Sequence, residues 1–232
     1  MPLYSLLAAS ALCCLPAATS DEAAFARARE RMVLDQIEAR GIHDPPTLAA
    51  LRKVHRHLFV PPDVRSEAYD DHPLPIGHGQ TISQPYIVAF MTEALGLHGG
   101  ETVLEVGTGS GYQAAVLAEI AAHVYSIEIV PALAQESAGR LADLGYRNVQ
   151  VKAGDGYRGW PEAAPFDGIL VTAAAPRIPE PLKAQLKDGG RLVIPVGEGD
   201  QELVVISRHG DRFEQRRVLP VRFVPMTGEV RQ

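Results

Sequence analysis

Cysteine is nearly absent from this 232-residue chain; the two present, Cys13 and Cys14, are adjacent and close to the start. Past them there is no thiol, which excludes a disulfide framework, a zinc–thiolate site and a cysteine nucleophile from the rest of the sequence. Positive charge is also scarce: 22 Lys and Arg against 28 Asp and Glu leave a net charge of -6, and no long basic block occurs. The chain therefore lacks the electrostatic footprint of a general nucleic-acid binder, and no nucleic-acid partner is expected. The 21 Gly and 18 Pro follow no short period, which excludes collagen-like and repeat architectures. No Gly-Lys-Ser/Thr phosphate loop is present, so a nucleotide triphosphatase is excluded. His55, His57, His72 and His78 have neither cysteine nor a His-Glu-x-x-His arrangement beside them, so no metal site is expected. What is there is a 46% hydrophobic chain, long enough to bury roughly 70% of its unfolded surface as one globular domain without a staple.

Residues 1–20 carry no charged side chain, and Leu3 to Leu15 is almost continuously small or apolar. This leader resembles the core of a secretory signal, with Ala18-Thr19-Ser20 as a small-residue cleavage site. It lacks the basic start such signals have, and Pro2 and Pro16 leave it too short for stable membrane insertion. A mis-assigned start and a disordered tail are the alternatives.

Apolar spacing through Phe25, Met32, Val33 and Ile37 predicts an amphipathic helix over Asp21–Arg40, stopped by Gly41. A short helix is expected over Pro46–Val54, then an irregular connection over His57–Gln80 rich in Pro, Gly, Asp and His, then a helix over Ile82–Leu95. From Thr102 strands and helices alternate. Strands are expected at Thr102–Val106, His123–Ile127, Asn148–Val151, Gly168–Val171 and Arg191–Val196, with helices at Tyr112–Ile120, Ala132–Leu144 and Pro181–Leu186. Glu202–Ser207 and Phe213–Leu219 read as a closing strand pair. That order implies an α/β fold of the Rossmann-like, doubly wound class: a mostly parallel sheet with helices on both faces and an antiparallel C-terminal edge.

The sharpest signal is Val103-Leu-Glu-Val-Gly107-Thr-Gly109-Ser-Gly111, placed between a predicted strand and a predicted helix. Glycines there let the backbone turn tightly and approach a ligand, although a purely structural turn uses the same residues. Glu128 closes the next strand, where an acid can accept from ribose hydroxyls, and Asp155 with Gly156 follows the strand after that, where a short acid can meet an adenine amine. The Gly-x-Gly-x-Gly spacing differs from the dinucleotide pattern, and an acid at Glu105 repels pyrophosphate but suits a cationic ligand. This stretch resembles motif I of the class I S-adenosylmethionine-dependent methyltransferases.

The loop Pro75-Ile-Gly-His-Gly-Gln80-Thr81-Ile82-Ser83-Gln84-Pro85 narrows the reaction, because it resembles the signature loop of the protein-L-isoaspartate O-methyltransferase family. Leu58–Pro61, Gly111-Tyr112-Gln113, Gly154–Gly156, Thr172–Pro176, Leu186–Gly197 and Arg222–Pro225 are similar to that family as well, so the likeness spans about residues 25–229. It implies an enzyme moving a methyl group from S-adenosyl-L-methionine to the free α-carboxylate of L-isoaspartyl residues in damaged proteins and peptides. It also implies roles. Ser83 would be the catalytic, substrate-orienting serine, with a helix N-cap as its alternative. Thr81, Ile82, Glu105, Gly107, Gly109, Gly111, Glu128, Asp155, Gly156 and Thr227 would hold the cofactor. Arg222, Phe223 and Val224 would lie beside the bound peptide as an extended segment. The domain expected is residues 21–232, with a helical extension over about 21–80 and a C-terminal extension over about 213–232. It is expected to act as a monomer in the cytoplasm, or outside it if the leader is a cleaved signal. Small-molecule and RNA methyltransferases share the glycine turn but not the loop at Gln80–Pro85; a non-catalytic binder of damaged chains is the other alternative.

Overall fold

The computed structural model describes residues 20–231. Apart from Ser20, the apolar leader lies outside the described residues, and Cys13 and Cys14 with it.

The predicted first helix forms but changes its winding. Helix α1 (Ser20–Arg31) runs into a π-helical stretch, Met32–Ile37, and a 3-10 turn, Glu38–Arg40. In the wider i→i+5 winding, residues five apart stack, so Met32 and Ile37 come to one side with Val33, and all three are fully buried. Gly41 ends the segment in a left-handed conformation, φ 92°. Helix α2 (Pro45–Lys53) starts where Asp44 accepts from the Thr47 backbone N–H at 2.9 Å, with Pro45 at the first helical position.

The region read as irregular contains order that the sequence reading missed. After 3-10 turns at Arg56–Leu58 and Pro62–Glu67, strand β1 (Leu74–Gly77) pairs antiparallel with β2 (Gln80–Ile82). The hairpin turns through His78 (φ 53°) and Gly79 (φ 69°), two positive-φ positions that suit a two-residue turn. Helix α3 (Pro85–Leu95) follows and begins three residues later than expected because β2 takes Ile82.

The main sheet has seven strands: β3 (Thr102–Val106), β4 (His123–Glu128), β5 (Val149–Ala153), β6 (Phe166–Val171), β7 (Leu186–Val196), β8 (Gln201–His209) and β9 (Arg212–Val221). Their order is β5-β4-β3-β6-β7-β8-β9, parallel from β5 to β7 and antiparallel from β7 to β9. Helices α4 (Tyr112–Ala118), α5 (Pro131–Asp143) and α6 (Glu180–Ala184) are the crossovers. Alternate residues feed two cores. Val103 joins the cluster beneath the N-terminal helices, whereas Leu104 and Val106 join the one closed by α6, Met226 and Val230. The chain moves from β3 outward to β5, then returns to place β6 on the other side of β3. That reversal opens a crevice at the carboxyl end of β3, the usual ligand position in such sheets.

Candidate active site

A cleft of about 920 Å³, its open mouth included, occupies that crevice. Its floor is the turn after β3. Gly107 adopts φ 99°, and a Cβ there would stand 2.3 Å from Thr172 Oγ1, so both conformation and crowding require glycine. Thr172 at the end of β6 donates to the Gly107 carbonyl at 2.6 Å, which ties the two strand ends together. The glycine N–H groups already have internal partners. Gly107 N–H donates to the Ile127 carbonyl (2.8 Å), Gly109 N–H to Glu128 Oε2 (2.9 Å) and Gly111 N–H to the Thr108 carbonyl (2.8 Å). The loop thus presents a smooth surface to a ligand rather than a nest of donors.

Glu128 closes β4 and lines the cleft, 5% exposed. Each of its oxygens accepts one backbone N–H, from Gly109 and from Val130 at 3.0 Å, leaving lone pairs free to accept hydroxyl protons. The β1–β2 hairpin forms the opposite wall, with Ile76 packed on the glycine turn: its Cδ1 lies 3.3 Å from where a Gly109 Cβ would be. Thr81, Ile82 and Ser83 leave the hairpin along the cleft. Ser83 precedes the N-cap of α3, which is Gln84, and its hydroxyl has no hydrogen-bond partner among the described residues, so it is not a helix cap. Gln84 Nε2 instead donates to Asp71 Oδ2 (2.8 Å), which also accepts from Arg40 Nη1 (2.7 Å); the Arg40 guanidinium lies 3.4 Å from the Tyr86 ring centre. This chain of contacts ties the serine-bearing loop to the N-terminal helices.

Of the residues singled out in the sequence, Thr81, Ile82, Ser83, Gly107, Gly109, Glu128, Gly156, Val224 and Thr227 meet around the cleft. Five do not. Glu105 is fully buried beneath the floor, where Ser126 donates to its Oε2 and Oε1 has no partner among the described residues. Burial, with the Glu128 charge adding to it, pushes its carboxyl up to about 8, so it holds a proton at neutral pH. Gly111 faces Leu141 of α5. Asp155 turns its carboxylate to the C-terminal tail, accepting from the N–H groups of Tyr157 (2.9 Å) and Glu229 (2.8 Å). Arg222 is exposed outside the cleft, and both backbone groups of Phe223 are engaged by the Gln201 side chain, at 2.6 and 3.1 Å. Short acids after strands serve caps as readily as ligands, and spacing does not separate the two uses.

Several lining residues had no role assigned from the sequence: Ser110, Tyr112, Gln113, Thr172, Ala173 and Met226. Tyr112 lies beside the buried Arg56, whose guanidinium is 4.9 Å from its ring, and burial pushes the phenol up to about 12. The signal for Thr172 and Ala173 was their place at the carboxyl end of the strand next to β3. Trp160 packs edge-on against Tyr125, centroids 5.0 Å apart.

The profile of the family described as protein-L-isoaspartate(D-aspartate) O-methyltransferase matches residues 27–231. A protein-L-isoaspartate O-methyltransferase of Opitutus terrae is 58% identical over 213 residues, 89% of this chain and 91% of the relative. One of Anaeromyxobacter dehalogenans is 61% identical over 191 residues, 81% of this chain and 91% of the relative. A solved protein-L-isoaspartate O-methyltransferase superposes with a TM-score of 0.80 at 30% identity, over 87% of this chain and 67% of that one. A Plasmodium falciparum structure assigned to the same activity and holding S-adenosyl-L-homocysteine superposes with a TM-score of 0.74 at 26% identity, over 86% of this chain and 98% of that one. The glycine turn and the Ser83 hairpin thus sit in a fold and a sequence that agree over nearly the whole described chain, and the chain belongs to the protein-L-isoaspartate(D-aspartate) O-methyltransferase family.

Proposed function

We propose that this enzyme methylates the free α-carboxylate of L-isoaspartyl residues in damaged proteins and peptides, taking the methyl group from S-adenosyl-L-methionine. The observation that carries the reading is the pairing, across one cleft, of a Ser83 hydroxyl without a hydrogen-bond partner among the described residues and the Glu128 acceptor at the end of β4. The residues fit a nucleoside-bearing cofactor. Glu128 keeps lone pairs for a ribose diol, Gly156 and Met226 offer a close apolar wall, and Gly107 and Gly109 let the ligand lie against backbone. When bound, the cofactor supplies an electrophilic methyl carbon on a sulfonium. An α-carboxylate has an ordinary pKa near 3.5, so it arrives ionised and needs no general base. The chain's task is then to align and to dry. Ser83 donates to one carboxylate oxygen and orients the other, Thr81 and Ile82 cover the reacting centre, and the Val224 segment lies beside the peptide. The ester later closes to a succinimide in solution, whose hydrolysis partly restores aspartate. Glu105, protonated below the floor, is a neutral support in this reading rather than a ligand.

No helix among the described residues is long and apolar enough to cross a membrane. The setting we assign is the cytoplasm, where the cofactor is made, with the chain acting as a monomer and with no nucleic acid as methyl acceptor. The test is transfer of labelled methyl to an isoaspartyl peptide beside its aspartyl twin. Base-labile label on the isoaspartyl peptide alone is expected; equal labelling of both, or none with the cofactor bound, defeats the reading.

A further inference from the structure

A second convergence of polar side chains lies away from the cleft, where α1 meets the segment after α2. Glu22, in the first turn of α1, faces His55 and His57, more than thirty residues further along the chain. Glu22 Oε1 is 3.6 Å from His55 Nδ1 and Oε2 is 3.5 Å from His57 Nε2, and one donor atom from each residue falls within 4.8 Å of the other two. Tetrahedral zinc holds N and O ligands at about 2.0–2.1 Å, which sets ligand atoms roughly 3.3–3.4 Å apart. The two short contacts use different oxygens of the Glu22 carboxylate, so with one oxygen as the ligand a single edge is within a few tenths of an ångström of that spacing, and the other two, within 4.8 Å, close by rotation of the half-exposed His55 or Glu22.

The surroundings resemble the support that metal-bound imidazoles receive. The His57 side chain is 4% exposed, stacked on Phe25 with centroids 4.1 Å apart and planes 12° from parallel. Its Nδ1 is 2.8 Å from the Tyr69 hydroxyl, which also accepts from Arg29 Nη1 at 3.2 Å. When Nδ1–H donates to that oxygen, the Nε2 lone pair is fixed toward Glu22, the orientation a ligand needs. Burial lowers both imidazoles from their ordinary value. Arg29 and Arg65 add positive charge on the His57 side, which keeps affinity below that of a closed four-ligand site.

We propose that Glu22, His55 and His57 bind a divalent transition-metal ion of the zinc class, with water completing the coordination, and that the ion staples α1 to the body of the enzyme. The metal is structural, since the cluster is separate from the residues that line the cleft.

The experiment uses the full chain carrying C13S and C14S, so that the two thiols of the leader do not compete. Zn2+ is titrated against a chromophoric chelator, Co2+ absorption is read in the visible, and melting is compared with and without Zn2+. One saturable equivalent, an intense tetrahedral Co2+ band and a higher Tm with Zn2+ are expected. Glu22→Gln and His55→Ala each change a half-exposed side chain, and each should weaken binding at least about tenfold and abolish the Tm rise, while melting in chelator matches the parent. No saturable equivalent in the parent overturns the proposal, and so does equal binding in both variants. Methyl transfer is measured in parallel, so a failed metal site and a failed activity remain separate results.

Discussion

Replacing Glu105 by Gln removes a fully buried ionisable group beneath the cleft floor while keeping its shape. The Glu105 side chain is fully buried, and its Oε1 has no partner among the described residues. Burial and the neighbouring Glu128 charge raise its carboxyl from an ordinary 4.5 to about 8. In the unfolded chain the group loses its proton near its ordinary value, whereas in the folded protein it keeps the proton until about pH 8. The native state therefore binds more protons across that interval, and stability must fall as pH rises through it. At about 1.36 kcal/mol per pH unit the full loss reaches roughly 5 kcal/mol as an upper limit. Gln pays no ionisation cost, but it places two N–H donors where wild type has one O–H, a penalty on the order of 1 kcal/mol. The variant should be slightly less stable than the parent at pH 5 and clearly more stable at pH 8.5, with the two curves crossing between. Urea denaturation of both proteins at several pH values reads the difference directly, because titrating groups that do not interact with Glu105 cancel. Parallel curves across the range would refute the reasoning and mean that water reaches Glu105.

Two further outcomes follow from the cleft wall. Ser83→Ala removes a hydrogen bond to a charged group, worth about 1.5–3 kcal/mol, so turnover should drop roughly tenfold to a hundredfold with cofactor affinity almost unchanged. Calorimetry of S-adenosyl-L-homocysteine binding beside steady-state rates checks this, and equal turnover would leave Ser83 as loop packing. Asp71→Ala frees Gln84 and Arg40 from their shared acceptor and should cost about 1–2 kcal/mol of stability. It should also lower kcat, with Asp71→Asn restoring part of it; a stability loss with kcat intact would make the tie purely structural.

Periodicity and turn chemistry made most of the parallel sheet legible. Thr102–Val106 was placed residue for residue, and the crossover helices fell within a few positions of their observed ends. Buried parallel strands are short continuous apolar runs that need no distant partner to be recognised. The β1–β2 hairpin was missed because a four-residue strand containing Pro75, beside Gly77-His78-Gly79, has the composition of a loop and gains its order from packing on the glycine turn. The winding change at Met32–Ile37 was missed for a related reason: apolar spacing marks a helical segment but not its winding, which depends on the neighbours it packs against.

The sequence by itself determined the fold class, the position of the glycine turn and the approach of Glu128 to it, since each depends on local spacing within one strand–turn–helix unit. It also carried the family likeness through the loop around Ser83. Only the tertiary structure decided which carboxylates line the cleft. Glu105, Asp155 and Glu128 all occupy strand ends or turns of similar composition, yet one is buried and protonated, one holds the tail, and one lines the cleft. The same holds for Glu22, which reaches His55 and His57 only because α1 docks against them. Side-chain direction and burial arise from contacts between segments far apart in the chain, and those contacts fix what a charge can do.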